Sequence, residues 1–101
     1  MKYEIELAVS AIRELDELRA FIAKKIRAEI KKQLVYQPTT PSKNRKCLDD
    51  PPAGFEYDPP LWELRVGEYR AYYDVNEETS IVYIRAIRLK PPEKRTKDVI
   101  Q

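Results

Sequence analysis

The clearest pattern in the chain lies between Leu61 and Lys90, LWELRVGEYRAYYDVNEETSIVYIRAIRLK, where apolar and polar positions alternate with the two-residue period of β-strands. Over Leu61–Val66, the residues Trp62, Leu64 and Val66 share one face, and Leu61, Glu63 and Arg65 share the other. In the next run Tyr69, Ala71, Tyr73 and Val75 alternate with Arg70, Tyr72 and Asp74. Gly67-Glu68 and Asn76-Glu77-Glu78 read as turns, so the region is expected to form a three-stranded antiparallel meander. Burial of the apolar faces, Trp62 included, brings Glu63, Arg65, Arg70 and Tyr72 together on an opposite, solvated face. That face is compact and mostly cationic.

Upstream, Lys2–Val9 alternates Tyr3, Ile5, Leu7 and Val9 against Lys2, Glu4, Glu6 and Ala8, a half-buried strand. Ser10 is placed to cap a helix, and a helical period follows: Ile12, Leu15 and Leu18, then Ile22, Ile26, Ile30 and Leu34. No Gly or Pro interrupts Ser10 to Gln37, which is compatible with one long helix. A hairpin breaking near Arg19–Phe21 lets both stripes cover one small sheet and is the preferred reading. Lys24, Lys25, Arg27, Lys31 and Lys32 then populate the outer face of the second helix. Residues 37–60 hold six of the eight prolines and are expected to form a long connector without regular structure. Pro91-Pro92 stops the last strand and leaves a polar tail, EKRTKDVIQ. The predicted class is α+β, in the order β-α-α-β-β-β, with a mainly antiparallel sheet packed on a helical hairpin.

With 101 residues, 43% of them hydrophobic, the chain is one domain with one two-layer core. The net charge of only +2 means that a basic site must come from local segregation of charge. The single Cys47 excludes an internal disulfide, so a reducing, cytoplasmic setting is expected. Neither a signal-peptide apolar region nor a membrane-length apolar run is present, and no membrane partner is expected. With no His, no acidic cluster at metal-ligand spacing and no glycine-rich loop, neither a metal, a cofactor nor a small-molecule substrate is expected. Arginines repeated among aromatic and branched strand residues point instead to a polyanion.

Two blocks carry a resemblance to a known family. KKQLVYQPTTPSKNRKCL (Lys31–Leu48) is similar to the second helix and following NRK-x-L segment of RelE/ParE superfamily toxins of type II toxin–antitoxin systems. LWELRVGEYRAYYDV (Leu61–Val75) resembles their characteristic hairpin. The resemblance covers nearly the whole chain and implies a RelE-like fold. It further implies a toxin that blocks translation by cutting mRNA in the ribosome and is silenced by a cognate antitoxin. A gyrase-directed relative, or an inactive module that only pairs with an antitoxin, fits the same blocks. Tyr69-Arg70 matches the hairpin's Tyr-Arg pair, with Arg70 at the position of a phosphate-contacting catalytic arginine, and Lys90 occupies the basic position after the last strand. The chain departs from the family pattern where lysines line the first hairpin strand, having Leu61 and Glu63 there, and no Tyr follows Tyr83.

RNA cleavage by 2′-hydroxyl attack needs a proton acceptor, cations around the pentavalent phosphorane and a proton for the leaving oxygen. Without His, Arg70, Arg65 and Lys90 are the candidate charge stabilisers, and Glu63 is the candidate base, although nearby cations weaken it. Arg70 can instead be a surface arginine paired with Glu63 or Asp74. Arg65 can sit in a cross-strand ion pair, and Lys90 can be a solvated strand-end charge. Tyr72 can stack on a base or simply cover the sheet. Arg45 and Lys46, in the Asn44-Arg45-Lys46 segment, are candidate RNA-backbone contacts, as are Arg85 and Arg88 on the last strand beside Tyr83. Cys47 has no His partner and is not expected to be a nucleophile.

Overall fold

A computed structural model describes residues 1–52 and 54–90. The expected proline stop at Pro91-Pro92 and the polar tail lie outside the described residues. Five strands and two helices follow in the order β1 (Glu4–Leu7), α1 (Val9–Asp16), α2 (Ala20–Leu34), β2 (Arg45–Cys47), β3 (Trp62–Val66), β4 (Tyr69–Asn76) and β5 (Ile81–Leu89). The strands form one sheet in the order β1-β5-β4-β3-β2. Strand β1 runs parallel to β5, and every other pairing is antiparallel. This is the α+β architecture that the alternation anticipates.

The helical hairpin breaks where expected, between Asp16 and Ala20, so that each short helix can turn its own apolar stripe onto the sheet. Ala11, Leu15, Ile26, Ile30 and Leu34 meet Trp62, Leu64, Val66, Ala71, Tyr73, Val82, Ile84 and Ile87 in the main core. Tyr73 lies at its centre with no exposed surface, and its hydroxyl donates to the Pro38 carbonyl at 2.6 Å. That bond anchors the chain as it leaves α2. Ser10 does not cap α1. Ala8 takes that position, while Ser10 sits inside the helix and its hydroxyl donates to the Arg85 carbonyl at 3.0 Å, tying α1 to β5.

The connector departs from expectation in two ways. Arg45–Cys47 forms a short edge strand antiparallel to β3, with Arg45 opposite Leu64 and Lys46 opposite Glu63. Its later part then folds across the outer face of the sheet, where Leu48, Phe55 and Tyr57 pack against buried Leu61, Tyr72 and Ala86. The face read as solvated is therefore partly roofed. Six prolines deny the connector a continuous strand but still allow aromatic side chains to cover apolar area.

The sheet carries one irregularity that decides which face Arg88 joins. Tyr72 faces Ala86 across the β4–β5 pair, yet the next residue, Tyr73, faces Ile84, so Arg85 is an extra residue on β5. Such a bulge reverses the inward–outward phase of the strand beyond it. Val82 and Ile84 point to the core before it and Ile87 after it. Strict alternation would have sent Arg88 inward; the bulge turns it outward.

Burial is the main cause that pushes the Tyr73 hydroxyl well above its ordinary value of 10.0. The folded chain therefore keeps this proton at pH values where the unfolded chain releases it, so the stabilisation is complete below pH 10.0 and declines above it. Tyr73→Phe is expected to cost about 1–2 kcal/mol in denaturant unfolding at neutral pH, through the orphaned Pro38 carbonyl. The variant should also lose less stability than the parent between pH 9 and pH 11, on the order of the ordinary tyrosine range, as read by the shift of the unfolding midpoint.

Candidate nucleic-acid interface

Cross-strand register assembles the outer face row by row. Arg65 on β3 faces Arg70 on β4, and Arg70 in turn faces Arg88 on β5. Neighbouring strands lie about 4.8 Å apart, so three arginine positions span roughly 10 Å of sheet. The adjacent row runs Lys46, Glu63, Tyr72 and Ala86. Lys90 follows β5 with its side chain exposed, and its N–H donates to the Glu68 carbonyl at 2.6 Å, closing the strand end against the β3–β4 turn. Glu63, Arg65, Arg70, Tyr72, Arg88 and Lys46 thus share one face, as alternation and the bulge together require.

Their surroundings differ sharply. Arg65 is exposed. Arg70 is only 5% exposed: its Nη1 donates to the carbonyls of Gly67 and Tyr69 at 3.0 and 2.8 Å, and its Nε lies 3.9 Å from Glu63. These contacts clamp the tight turn, where Gly67 adopts a φ of 59°. Arg70 is therefore a turn-holding residue as well as a member of the cationic row, which corrects the expectation of a fully solvated side chain. Arg88 donates from Nε to Glu14 at 3.2 Å and lies over the Phe55 ring, 5.3 Å from its centroid. Tyr72 is buried beneath Phe55, with ring centroids 5.8 Å apart. Burial first, and the Glu63 carboxylate second, raise the Tyr72 hydroxyl above its ordinary value, with Arg70 opposing them. It stays a neutral phenol across the physiological range.

Two expected RNA contacts are placed elsewhere. Arg45 pairs in register with Leu64, a core residue, and so points inward. Its guanidinium donates to the Thr40 carbonyl at 2.9 Å and to the carbonyl and side-chain oxygens of Gln33 at 3.1 and 2.6 Å. It finishes the last turn of α2, satisfying carbonyls that the helix end leaves open. Arg85 holds Asp74, a carboxylate only 2% exposed, through Nε at 2.6 Å and Nη2 at 3.1 Å. Asp58 lies 3.7 Å away, and these carboxylates, led by the bond to Asp74, raise the Arg85 pKa. Both guanidinia are held by acceptors of the protein itself, Arg45 buried and Arg85 still 21% exposed. Asp74, Glu14 and Phe55 were not legible as site residues: Glu14 arrives from a helix 73 positions away to accept the Ile87 N–H at 2.7 Å, and Phe55 arrives from the connector. Among the described residues no three acidic or Cys side chains converge as a metal site.

These contacts separate structural from surface arginines. Arg85→Ala strands the Asp74 carboxylate and is expected to cost about 3–5 kcal/mol in chemical unfolding. Arg70→Ala should cost about 1–3 kcal/mol through lost turn bonds. Arg65→Ala should stay within about 0.5 kcal/mol of the parent. A fully stable Arg85→Ala protein would contradict the structural assignment.

Comparison with known proteins places this geometry. Residues 5–89 match the family described as ParE toxin of type II toxin–antitoxin system, parDE. Among solved structures, the archaeal RelE–RelB complex of Pyrococcus horikoshii is similar, with 20% identity, a TM-score of 0.70, and coverage of 92% of this chain and 100% of that one. The Mycobacterium tuberculosis RelBE2 toxin–antitoxin complex is similar at 23% identity and a TM-score of 0.68, covering 89% of this chain and 100% of that one. The isolated Escherichia coli RelE toxin gives 14% identity and a TM-score of 0.67, covering 97% of this chain and 95% of that one. No curated protein sequence matches the chain. The structural likenesses, all of low identity, speak for the fold, and the family match spans most of the sequence. The chain belongs to the ParE toxin family and is a toxin of the RelE/ParE superfamily of type II toxin–antitoxin systems.

Proposed function

We propose that this toxin acts on mRNA held in the ribosome, gripping RNA phosphates at the exposed Arg65 end of the row Arg65, Arg70 and Arg88, flanked by Lys46 and Lys90. The observation that carries the reading is the register itself, which lines up three arginines on adjacent strands of a rigid sheet. Arg65 is exposed, has no carboxylate partner among the described residues, and is able to take a phosphate in bidentate fashion. Glu63, between Arg70 and Tyr72, is the group that can accept the 2′-hydroxyl proton. No imidazole stands beside it to share the proton transfer, because the chain has no His. Alignment supplied by the ribosome compensates, since positioning alone can lower a barrier by several kcal/mol, roughly 7–11 in the best intramolecular cases.

A second reading rests on a specific observation. Arg70, Arg85 and Arg88 each have a carboxylate partner, so the face is less cationic than its arginine count suggests. This favours a toxin that binds without cutting, directed at gyrase or serving only as the mate of an antitoxin. Cell-free translation followed by primer extension separates the two. The parent should produce ribosome-dependent cuts, and Arg65→Glu should reduce them at least about tenfold while remaining folded, a loss of about 1.4 kcal/mol in transition-state stabilisation. Inhibited supercoiling with intact mRNA selects the second reading.

A cognate antitoxin is the proposed partner in either case. An antitoxin segment that folds on contact can cover the arginine row and screen it from RNA. Arg65→Glu should weaken that complex more at low than at high salt, because exposed charges are screened over about 10 Å at 0.1 M ionic strength. Titration calorimetry at two salt concentrations reads the difference, and an unchanged affinity places the antitoxin away from this row.

A further inference from the structure

We infer that the cleft walled by Phe55 and Arg88 is a nucleobase subsite, lying at the β5 end of the arginine row. The inference rests on the RNA reading above and names what else that face would recognise. The cleft has a volume of about 360 Å³ and is walled by Ser10, Gly54, Phe55, Glu56, Arg85 and Arg88 among others. That size lies near the lower end of small-ligand sites, which run from about 300 to 1,000 Å³.

Phe55 is braced for stacking. Its ring meets Tyr57 at 5.9 Å and Tyr72 at 5.8 Å, while the Arg88 guanidinium lies 5.3 Å from its centroid. Tyr72, Phe55 and Arg88 therefore form a stack that ends on the Arg88 guanidinium, whose side chain is 38% exposed and can receive the π-face of a base. Gly54 turns the chain here at a φ of +104°, a conformation open to glycine and strained for other residues.

The charge balance excludes a simple anion hole. Arg85 is neutralised by Asp74 and Asp58, Arg88 is paired with Glu14, and Glu56 adds a carboxylate to the wall. A neutral heterocycle suits such a site better than a free phosphate. The Ser10 hydroxyl donates to the Arg85 carbonyl and keeps its lone pairs for a base N–H, and the Glu56 carboxylate is a second acceptor. Arg88 joins the cleft to the row, since it faces Arg70 across the strands and lies over Phe55 at the cleft wall.

The test uses the full-length chain with adenosine 5′-monophosphate and ribose 5-phosphate, followed by saturation-transfer difference NMR and titration. Base protons of the nucleotide should receive saturation, and the nucleotide should bind at least about tenfold more tightly than the base-free sugar phosphate, as one stacked base allows. Phe55→Leu keeps apolar cover over Tyr72 and should weaken the nucleotide at least about fivefold with little change in Tm, whereas Phe55→Trp should restore binding. Equal binding of the two ligands, absence of nucleotide binding, or indifference to Phe55→Leu and Phe55→Trp each overturns the subsite. The assay contains no ribosome, so mRNA cutting without nucleotide binding would refute the subsite and spare the activity, and Phe55-dependent nucleotide binding without cutting would do the reverse.

Discussion

The outer face of this sheet depends on the pairing of Asp74 with Arg85. Asp74 is almost wholly buried, and a carboxylate in that position is tolerable only if its oxygens are met by donors. Arg85 supplies two, and the Asp58 N–H supplies a third at 3.1 Å. The same carboxylate thus joins β4, β5 and the proline-rich connector. Arg85 is available for this because it is the extra residue of the bulge. The bulge also turns Arg88 outward and Ile87 inward, so ion pair, core and arginine row share one origin.

The connector gains its place through this arrangement. Once Asp58 is tethered, Phe55 and Tyr57 are held over Leu61 and Tyr72, and a second small core forms on the side opposite the helices. The sheet is then covered on both faces in its middle and open toward the Arg65 end. Solvent access is graded across one face. Arg65 and Lys90 lie at the accessible end, whereas Tyr72 lies under the connector.

The arginines of this chain also show that residue type does not assign role. Arg45 closes a helix, Arg85 neutralises a buried acid, Arg70 clamps a turn, and Arg65 faces water. Each uses the same planar fork of donors, and the partner that lies within reach decides between structure and recognition. A face rich in arginine can therefore be only modestly cationic.

The sequence by itself determined the strand alternation of 62–76, the break between the helices, most of the main core, though not the exposure of Val9 and Ile12, and the shared face of Glu63, Arg65, Arg70 and Tyr72. These follow from periods of two and 3.6 residues, which are local properties of the backbone. The phase of β5 beyond Tyr83 was not legible, because the bulge arises from the pairing of Tyr72 with Ala86 and Tyr73 with Ile84. The strand at Arg45–Cys47 was hidden for a related reason: three residues among prolines carry no period, and only pairing with β3 makes them a strand. Asp74, Glu14 and Phe55 entered the site through contacts spanning 11 to 74 positions of sequence or through the packing of the connector. Local pattern sets which way a side chain points, and only the tertiary structure decides what it meets there.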